Sequence, residues 1–484
     1  MTGINPIGPK NDPPKLTLDK LKQMDETSIF SNIDTDKNGE ISDVEIKAAG
    51  FDSNELFAQA KDFLVKSFGT GKIKNSHNDN VTYFSYSDYN PEIIVPQTIE
   101  EIPKGSHDNI RDARFCDISK LNLSKEDLLN LTIDKTTILS PEQKEIIDKY
   151  IEITKDPGLG IRQLHEQGIT GVGVNMAIID QPLGYHREYA SNLVGTHNIN
   201  TDEFPNWQAS MHGAAVASIA VGENVGVAPG TSLEYYSAIN FTENPEDIEN
   251  YKTCLLKEME KKPKDKFPNA YEYAKSKLEG LEQNGTIKTN KPYAQALKQI
   301  LDNNEKLPPE KRVSVVSISW GFDKLAPGWD ELLEQIDRAK AQGVFVISTR
   351  LDELYGMKTC GANRNPQGDM NNPQDYEAGA FWKNNNDYSK EMIDELLLVP
   401  MDHRTVAYNQ DGESYRYEGN DGGMSWSTPW LAGIYALTKQ VKPDITPEEF
   451  WQKALETSDK CHNNDNNEYV GRLINPQKLI NSLK

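Results

Sequence analysis

The chain has 484 residues, of which 74 are acidic and 52 are basic, so its formal net charge is -22. Single hydrophobic cores stop growing at roughly 250 to 300 residues, and we therefore expect one large domain plus at least one small module. A strong negative charge repels nucleic acid and anionic lipid, and no apolar run approaches the roughly 18 residues of a membrane span. These features argue against nucleic-acid partners and predict a soluble chain.

The amino terminus and the cysteines bear on where the protein works. The first residues lack the basic start and apolar core of a secretory signal. Cys116, Cys254, Cys360 and Cys461 are scattered without a CxxC pair, which predicts free thiols rather than a disulfide framework or a zinc site. The sequence is compatible with a cytoplasmic location, with export by an unrecognised route and with a trimmed leader.

A calcium-binding loop is predicted near the amino terminus. Residues 34–45 match the EF-hand pattern, with oxygen ligands at the first, third and fifth places and Gly39 at the sharp turn. We therefore expect an EF-hand module over residues 18–70 that binds Ca²⁺. Residues 75–81 begin a degenerate candidate partner that lacks an acidic residue at its twelfth place. The predicted ligands are Asp34, Asp36, Asn38, Glu40 through its backbone carbonyl, Ser42 through a water molecule, and Glu45 as the bidentate last ligand.

Two other segments precede the large domain. Residues 1–17 are rich in Pro, Gly, Lys and Asn, which predicts a disordered tail, and residues 71–156 are predicted to be a linker and a cap or pro-like region. In this region a short motif recurs every five residues, from Asp112-Ala113 to Thr132-Ile133. The repeat resembles that of pentapeptide-repeat proteins, whose coils use about four units each. Two interpretations are open: one real coil, or chance periodicity in a leader helix and loop.

From residue 157 to residue 484, apolar strands alternate with amphipathic helices, as a parallel sheet with crossover helices requires. The fold class predicted for this domain is therefore α/β. A charged stretch over about 241–290 interrupts the pattern and is interpreted as an insertion of unknown role. Predicted strands are Val174–Ile179, Leu233–Ile239, Val313–Ser319, Val344–Ser348 and Leu396–Val399, and predicted helices begin near His212, Pro292, Trp329, Ser425 and Pro447.

Three short strings in this domain carry chemistry, in the chain order Asp, His, Ser. Asp180 ends an apolar strand, and His212 opens a helix of small residues. Ser425 opens another helix, where Pro429 is expected in the first turn because the N–H groups there are unpaired. Cleaving a peptide amide requires a nucleophile, a base and a group that orients the base. The three strings resemble those of the subtilases, the subtilisin-like serine peptidases.

The resemblance covers about residues 157–484 and implies a subtilisin-like parallel sheet flanked by helices. It implies a serine endopeptidase that acts on polypeptide substrates, with Asp180, His212 and Ser425 as its catalytic triad. The string that ends at Ser319, Trp320 and Gly321 resembles the family strand that binds extended substrate, which implies that these three residues contact the substrate backbone. The residues after Asp180 depart from the family pattern, so the hydrogen bonds that steady this carboxylate must come from elsewhere.

The oxyanion donor is the weak point of the resemblance. The family has an Asn at the position that matches Asp352, and an ionised Asp has no N–H to donate. Three alternatives follow: Asp352 is held protonated, Asn363 or Asn365 replaces it, or the oxyanion hole is impaired. The rival functions are a catalytically silent pseudopeptidase that binds peptides, and a regulator gated by calcium. Subtilases often carry an inhibitory leader, and residues 100–156 occupy the place of one, so intramolecular inhibition is a further hypothesis.

Overall fold

The computed structural model divides the chain into two compact units, Met1–Ser85 and Tyr86–Lys484, which are taken in turn. The residues described are 16–24, 29, 33, 41–42, 46, 49, 51, 59–61, 63–64, 73–74, 81–85, 91–105, 110–204, 207–379, 392–408, 411–420, 423–464 and 466–484.

In the first unit, the described elements are helix α1 (Leu18–Leu21) and two short strands, β1 (Ile41–Ser42) and β2 (Ile73–Lys74), which pair in parallel. The Thr17 hydroxyl caps α1 by accepting from the Lys20 backbone N–H. The predicted calcium ligands Asp34, Asp36, Asn38, Glu40 and Glu45 and the Ser42 side chain lie outside the described residues, as does most of the predicted tail. Buried apolar side chains of this unit share one core: Leu21, Ile29, Ile33, Ile41, Ile46, Phe51, Ala60 and Leu64.

The second unit begins with a segment, residues 91–156, that we call the leading segment. Its five-residue periodicity has a structural counterpart. Arg111 pairs in parallel with Leu131, which lies four five-residue units further along the chain, although a helix occupies part of the intervening turn. The second residues of the repeated pairs share one core, in which Ala113, Ile118, Leu128 and Ile133 are buried and Leu123 is partly buried. The elements are β3 (Arg111–Asp112), α2 (Lys125–Leu129), β4 (Leu131–Thr132) and α3 (Pro141–Ile153), and capping boxes at Ser124 and Ser140 begin the two helices.

The rest of the second unit is the α/β architecture that the alternating pattern predicts. Its strands are β5 (Asn175–Asp180), β6 (Leu193–Asn198), β7 (Ser232–Ser237), β8 (Phe241–Thr242), β9 (Ile287–Lys288), β10 (Val313–Ile318), β11 (Phe345–Ser348), β12 (Lys358–Arg364), β13 (Tyr376–Ala378), β14 (Leu396–Pro400), β15 (Arg404–Ala407), β16 (Tyr415–Glu418), β17 (Asp459–His462) and β18 (Tyr469–Leu473). Its helices are α4 (Ile161–Glu166), α5 (Arg187–Ala190), α6 (Met211–Val221), α7 (Pro245–Lys261), α8 (Pro268–Asn284), α9 (Lys291–Lys306), α10 (Trp329–Ala341), α11 (Leu351–Tyr355), α12 (Gly423–Val441), α13 (Pro447–Thr457) and α14 (Pro476–Asn481).

Two five-stranded sheets organise these elements. The first has the order β11-β10-β5-β7-β6 and is parallel throughout. The second has the order β13-β12-β14-β18-β17, with a parallel centre and an antiparallel strand at each edge. The central strand β5 and its neighbour β10 are almost wholly buried because helices cover both faces, as is usual for parallel sheets. The predicted α/β fold with a helix-flanked parallel sheet is confirmed.

The charged stretch at 241–290 forms a helical hairpin. β8 and β9 pair antiparallel at its base, with Phe241 opposite Lys288, and α7 and α8 lie between them. Each helix begins with Pro at its first position, where a missing N–H is harmless. Tyr251, Leu255 and Ala274 form a small core of the hairpin with Ile287 and Ala326.

The structure also bears on the state of the cysteines and on membrane-spanning helices. All four cysteines are free thiols, and Cys254 is the exposed one. Among the described residues, no helix combines the length and the apolar character needed to cross a bilayer.

Helix α6 lies so close to the first sheet that one of its positions requires glycine. A Cβ at Gly213 would lie 2.5 Å from the Tyr235 hydroxyl and 2.8 Å from the Gln181 carbonyl oxygen. Contacts this short force the backbone or the neighbouring side chain to move. The absence of a side chain at Gly213 therefore fixes how closely α6 approaches the end of β5.

We predict that Gly213→Ala lowers the free energy of unfolding by roughly 1–3 kcal/mol, the usual cost of overpacking. Denaturant unfolding followed by circular dichroism measures the change. Gly280→Ala is the matched control, because a Cβ at this position of α8 meets nothing within 4 Å. The control should raise the stability by about 0.5–1 kcal/mol, since alanine favours helix over glycine. Equal effects of the two substitutions would contradict the close-approach argument.

Candidate active site

Two adjacent parallel strands bring polar residues to one edge of the first sheet. β5 ends at Asp180, and its neighbour β10 ends directly before Ser319. Parallel sheets bind ligands outside the carboxyl ends of their strands. The candidate site lies at this edge.

Asp180 is buried, and its carboxylate is held from two sides. Its Oδ1 accepts from the Gln181 backbone N–H at 2.8 Å and from His212 Nδ1 at 2.7 Å. The Tyr235 hydroxyl donates to the Gln181 carbonyl at 2.7 Å, which holds the next peptide group along the chain. The sequence after Asp180 departs from the family pattern, but a backbone N–H still steadies the carboxylate. Any residue at position 181 except proline would provide this N–H.

His212 occupies the first turn of α6. The Ser210 hydroxyl caps this helix by accepting from the His212 backbone N–H at 3.1 Å. Burial is the largest single influence and lowers the pKa of His212, but the charge and hydrogen bond of Asp180, together with Glu418, raise it, and the pKa is raised overall. The ring nitrogen Nε2 remains for chemistry, because Nδ1 is engaged by Asp180.

Ser425 is the third residue of α12, and reciprocal hydrogen bonds tie it to the end of β10. The Ser319 hydroxyl donates to the Ser425 carbonyl at 2.8 Å, and the Ser425 hydroxyl donates to the Ser319 carbonyl at 3.4 Å. Pro429 lies in the helix interior, so its expected place in the first turn was wrong. A proline cannot donate to the carbonyl four residues earlier, and that carbonyl belongs to Ser425. The Ser319 hydroxyl therefore replaces the helix hydrogen bond that Pro429 removes.

Trp426 links the serine helix to the histidine helix. Its ring centroid lies 5.3 Å from that of His212, at an interplanar angle of 33°. Ser425 itself makes no hydrogen bond to His212, although both side chains are described. The structure thus brings Asp180 and His212 into direct contact and places Ser425 next to a residue that packs on His212.

The residues predicted to bind substrate follow β10. Ser319 is buried, and Gly321 is exposed. Trp320 stacks on Tyr293 with 6.4 Å between ring centroids, and Lys288 at the base of the helical hairpin lies 4.4 Å from the Trp320 ring centre. The charged insertion therefore contacts Trp320, directly after β10, through Lys288.

The residues considered for the oxyanion hole occupy different places in the fold. Asp352 is in the first turn of α11, half exposed, with its Oδ1 3.5 Å from Arg350 Nε. Asn363 and Asn365 line a cavity of about 440 Å³. Among these described residues, none hydrogen-bonds to the Ser425 side chain. All three alternatives for the oxyanion donor stay open.

Part of the α/β domain also matches a known protein family. Residues 170–352 match the family described as Subtilase family. The chain contains a subtilase domain. This range includes Asp180, His212 and strand β10, and it supports a serine peptidase that acts on polypeptides.

Several solved structures resemble the chain at a distance. The prenylagaramide maturation protease PagA is 14% identical, with a TM-score of 0.44, over 67% of this chain and 99% of that one. The A-subunit of the AB5 toxin from E. coli is 13% identical, with a TM-score of 0.42, over 68% of this chain and 98% of that one. Fervidolysin from Fervidobacterium pennivorans, a keratinolytic enzyme related to subtilisin, is 15% identical, with a TM-score of 0.42, over 67% of this chain and 45% of that one. No curated protein matches the sequence significantly.

Three contributors to the site escaped sequence reasoning. Trp426 packs on His212, and the signal was its position directly after Ser425. Arg416 and Glu418 are buried close enough to His212 to act on its pKa, in opposite directions. Nothing in the sequence marks these two residues, because they reach the histidine from a hairpin that is distant along the chain.

We predict that Asp180→Asn lowers the pKa of His212 below its ordinary value of about 6.5, because burial then acts without the opposing carboxylate. Nuclear magnetic resonance of ¹³C-labelled histidine follows the titration, and His212→Ala assigns the signal. In the wild type the pKa should lie above the ordinary value. Asp337→Asn, at an exposed position of α10, is the control and should leave the titration unchanged. An unaltered His212 titration in Asp180→Asn would contradict the assigned pair.

Proposed function

We propose that the protein is a serine endopeptidase that hydrolyses peptide bonds through an acyl-enzyme on Ser425. The observation that carries the proposal is the 2.7 Å hydrogen bond between His212 and the buried Asp180, beside a serine at a helix amino terminus. In acyl transfer the base must be oriented and its developing positive charge stabilised, and Asp180 is placed to do both. The subtilase match over residues 170–352 supports the same chemistry.

In the proposed reaction His212 Nε2 removes the proton from Ser425 Oγ as this oxygen attacks the substrate carbonyl carbon. The imidazolium then gives that proton to the leaving amine, and a water molecule repeats the sequence to release the acid. The Ser425 hydroxyl must first leave the Ser319 carbonyl, to which it donates at 3.4 Å. A hydrogen bond of this length is weak, so bound substrate displaces it at little cost.

The oxyanion requires donors near Ser425. The amino terminus of α12 supplies backbone N–H groups that favour negative charge. A second donor comes from a protonated Asp352, from Asn363 or Asn365, or is missing. Loss of one such donor costs about 2.7–4 kcal/mol in the transition state, a value measured for subtilisin, which this domain resembles.

The rival function is a silent pseudopeptidase that binds peptides without cleaving them. Two observations favour it: Ser425 hydrogen-bonds to Ser319 rather than to His212, and Asp352 is half exposed beside Arg350. The substrate strand would still bind an extended peptide through its backbone groups.

Serine-directed labelling of the full chain decides between these functions. We expect a fluorophosphonate to modify Ser425, and we expect His212→Ala to abolish the modification because the serine loses its base. Peptide mass mapping identifies the adduct. Ser427→Ala is the matched control, since this buried serine of α12 donates to the Val399 carbonyl and should not be needed for labelling. A folded protein that takes no label at Ser425, with and without calcium, would contradict an active peptidase and leave the pseudopeptidase or a precursor blocked by intramolecular inhibition.

We further propose that residues 34–45 bind Ca²⁺ and that Glu45 is the bidentate ligand. The support is the EF-hand pattern of the sequence, with its acidic and amide oxygens at the required spacing. The same loop provides the basis for a calcium-gated enzyme, in which the first unit controls access to the cleft. Comparison of cleavage rates in calcium and in chelator addresses this gating.

We predict that calcium stabilises the protein and that Glu45→Gln abolishes the effect. Ligand binding adds about 1.4 kcal/mol at a tenfold excess over Kd and about 2.7 kcal/mol at a hundredfold excess, as follows from linkage. Thermal unfolding of the full chain with calcium and with chelator measures this difference. Asp19→Asn, an exposed acidic residue of α1, is the control and should retain the full calcium effect. A calcium effect of equal size in Glu45→Gln would place the site elsewhere.

A further inference from the structure

The leading segment is joined to the hairpin β15–β16 by backbone pairing. The Ile133 N–H donates to the Tyr417 carbonyl at 2.9 Å, and the Tyr417 N–H donates to the Ile133 carbonyl at 2.8 Å. The Tyr417 side chain is fully buried in the core of the leading segment, and its hydroxyl donates to the Leu129 carbonyl at 2.8 Å. Among the described strands, this segment pairs with the hairpin and not with β10 or the substrate residues after it. It is thus packed as part of the fold.

The contact between the leading segment and the hairpin buries two opposite charges on β16. Glu418 is fully buried and Arg416 nearly so, with Arg416 Nε 2.7 Å from Glu418 Oε1. The Thr132 hydroxyl of the leading segment donates to Glu418 Oε2 at 3.4 Å. The leading segment therefore helps to keep this ion pair out of water.

The ion pair lies next to the candidate catalytic histidine. Arg416 Nη1 is 3.5 Å from the sulfur of Met211, the residue directly before His212 in the first turn of α6. Asp180 contacts His212 from β5 and the uncharged Trp426 ring packs on it from α12, while Arg416 and Glu418 on β16 act on the pKa of His212 in opposite directions. The other charged groups on neighbouring elements are Arg404 on β15, Arg187 and Glu188 on α5, and Asp112, Arg114 and Asp134 in the leading segment.

We propose that the buried Arg416–Glu418 pair, enclosed by the leading segment, is a positioning element that sets the electrostatic field at His212. The inference rests on the proposed peptidase function for its consequence in catalysis, but not for its physical test. It assigns the leading segment a permanent place in the active protein, in contrast to an inhibitory leader that is removed.

The physical reason is the dielectric environment of the pair. Charges exposed to water act weakly on a neighbour, whereas charges enclosed by protein act strongly. Glu418 favours the imidazolium form of His212 and Arg416 opposes it, so the intact pair holds the histidine between two competing influences. Removing the leading segment would hydrate both charges and leave His212 under the control of Asp180 alone.

Two substitutions of near-constant size test the assignment, because they must shift His212 in opposite directions. Glu418→Gln should lower the pKa of His212, and Arg416→Gln should raise it, each by about half a unit, because each variant removes one of the two opposing charges. The double variant, which is neutral at both positions, should lie between them. The readout is nuclear magnetic resonance of ¹³C-labelled histidine in the full chain, with the signal assigned by His212→Ala.

Asp411→Asn is the matched control. Asp411 belongs to the same hairpin loop and binds Lys135 of the leading segment at 2.7 Å, but the side chains of both residues are partly exposed. This variant loses an ion pair to the same segment and should leave the His212 titration unchanged. Shifts of equal sign in Glu418→Gln and Arg416→Gln would mean a general loosening of structure and would overturn the proposal.

The titration separates this proposal from the peptidase function, because it requires no turnover. Opposite shifts in a protein that takes no fluorophosphonate would uphold the charge pair and refute the peptidase. Labelling at Ser425, with no shift of the His212 pKa in either variant, would uphold the peptidase and refute the charge pair. Intact mass of the labelled protein gives a second test, since a labelled form that always lacks residues 91–156 would exclude a permanent leading segment.

Discussion

The close packing of helix α6 is the constraint on which the candidate site depends. Every residue from Gly213 to Val221 is buried, and most of these side chains are small. A helix that is apolar all round can be enclosed on several sides. The sheet covers one side of α6, and α12 comes close on another, where a Cβ at Gly433 would lie 3.4 Å from the Ala220 carbonyl oxygen. Asp180, His212 and the start of α12 can be neighbours only because this helix admits such close approach.

At the candidate site, polar groups that lack their usual hydrogen-bond partner are bound by other specific groups. Buried polar groups of the main chain rarely remain without a hydrogen bond, because desolvation is costly. The Ser319 hydroxyl donates to the Ser425 carbonyl, which cannot receive a helix hydrogen bond from Pro429. The Gln181 N–H donates to the Asp180 carboxylate. These bonds also tie the ends of β5 and β10 to the residues that the proposed chemistry uses. The carboxyl ends of β5 and β10 are therefore held in place by hydrogen bonds.

Buried side chains attach the leading segment to the rest of its unit. The Arg364 guanidinium donates to the Asp156 carbonyl at 2.9 Å and to the His403 carbonyl at 2.6 Å, and the Trp430 indole donates to the Pro157 carbonyl at 3.1 Å. Buried donors of this kind hold their acceptors firmly, because breaking them leaves a charge or a dipole unsatisfied. The segment that precedes the subtilase domain thus shares its core and its polar network.

Much of the fold could be predicted from local patterns. The five predicted strands are present with ends shifted by at most two residues, because continuous apolar runs mark strands that are buried on both faces. Other strands were missed, since their mixture of polar and apolar residues has no clear period; among them are β6, β12, β13, β15, β16, β17 and β18. The place of Pro429 was wrong because the helix begins six residues before it, at a glycine with positive φ.

The sequence by itself determined which residue types are available for acyl transfer and calcium binding, since both depend on side-chain chemistry at short spacing. It also determined the α/β class, which follows from hydrophobic period. Only the tertiary structure decided that Asp180 takes its second hydrogen bond from Gln181, that Ser319 completes the serine helix, and that Arg416 and Glu418 reach His212. These contacts join residues that are distant in sequence or depend on backbone direction. Their energies depend on burial, which no local pattern records.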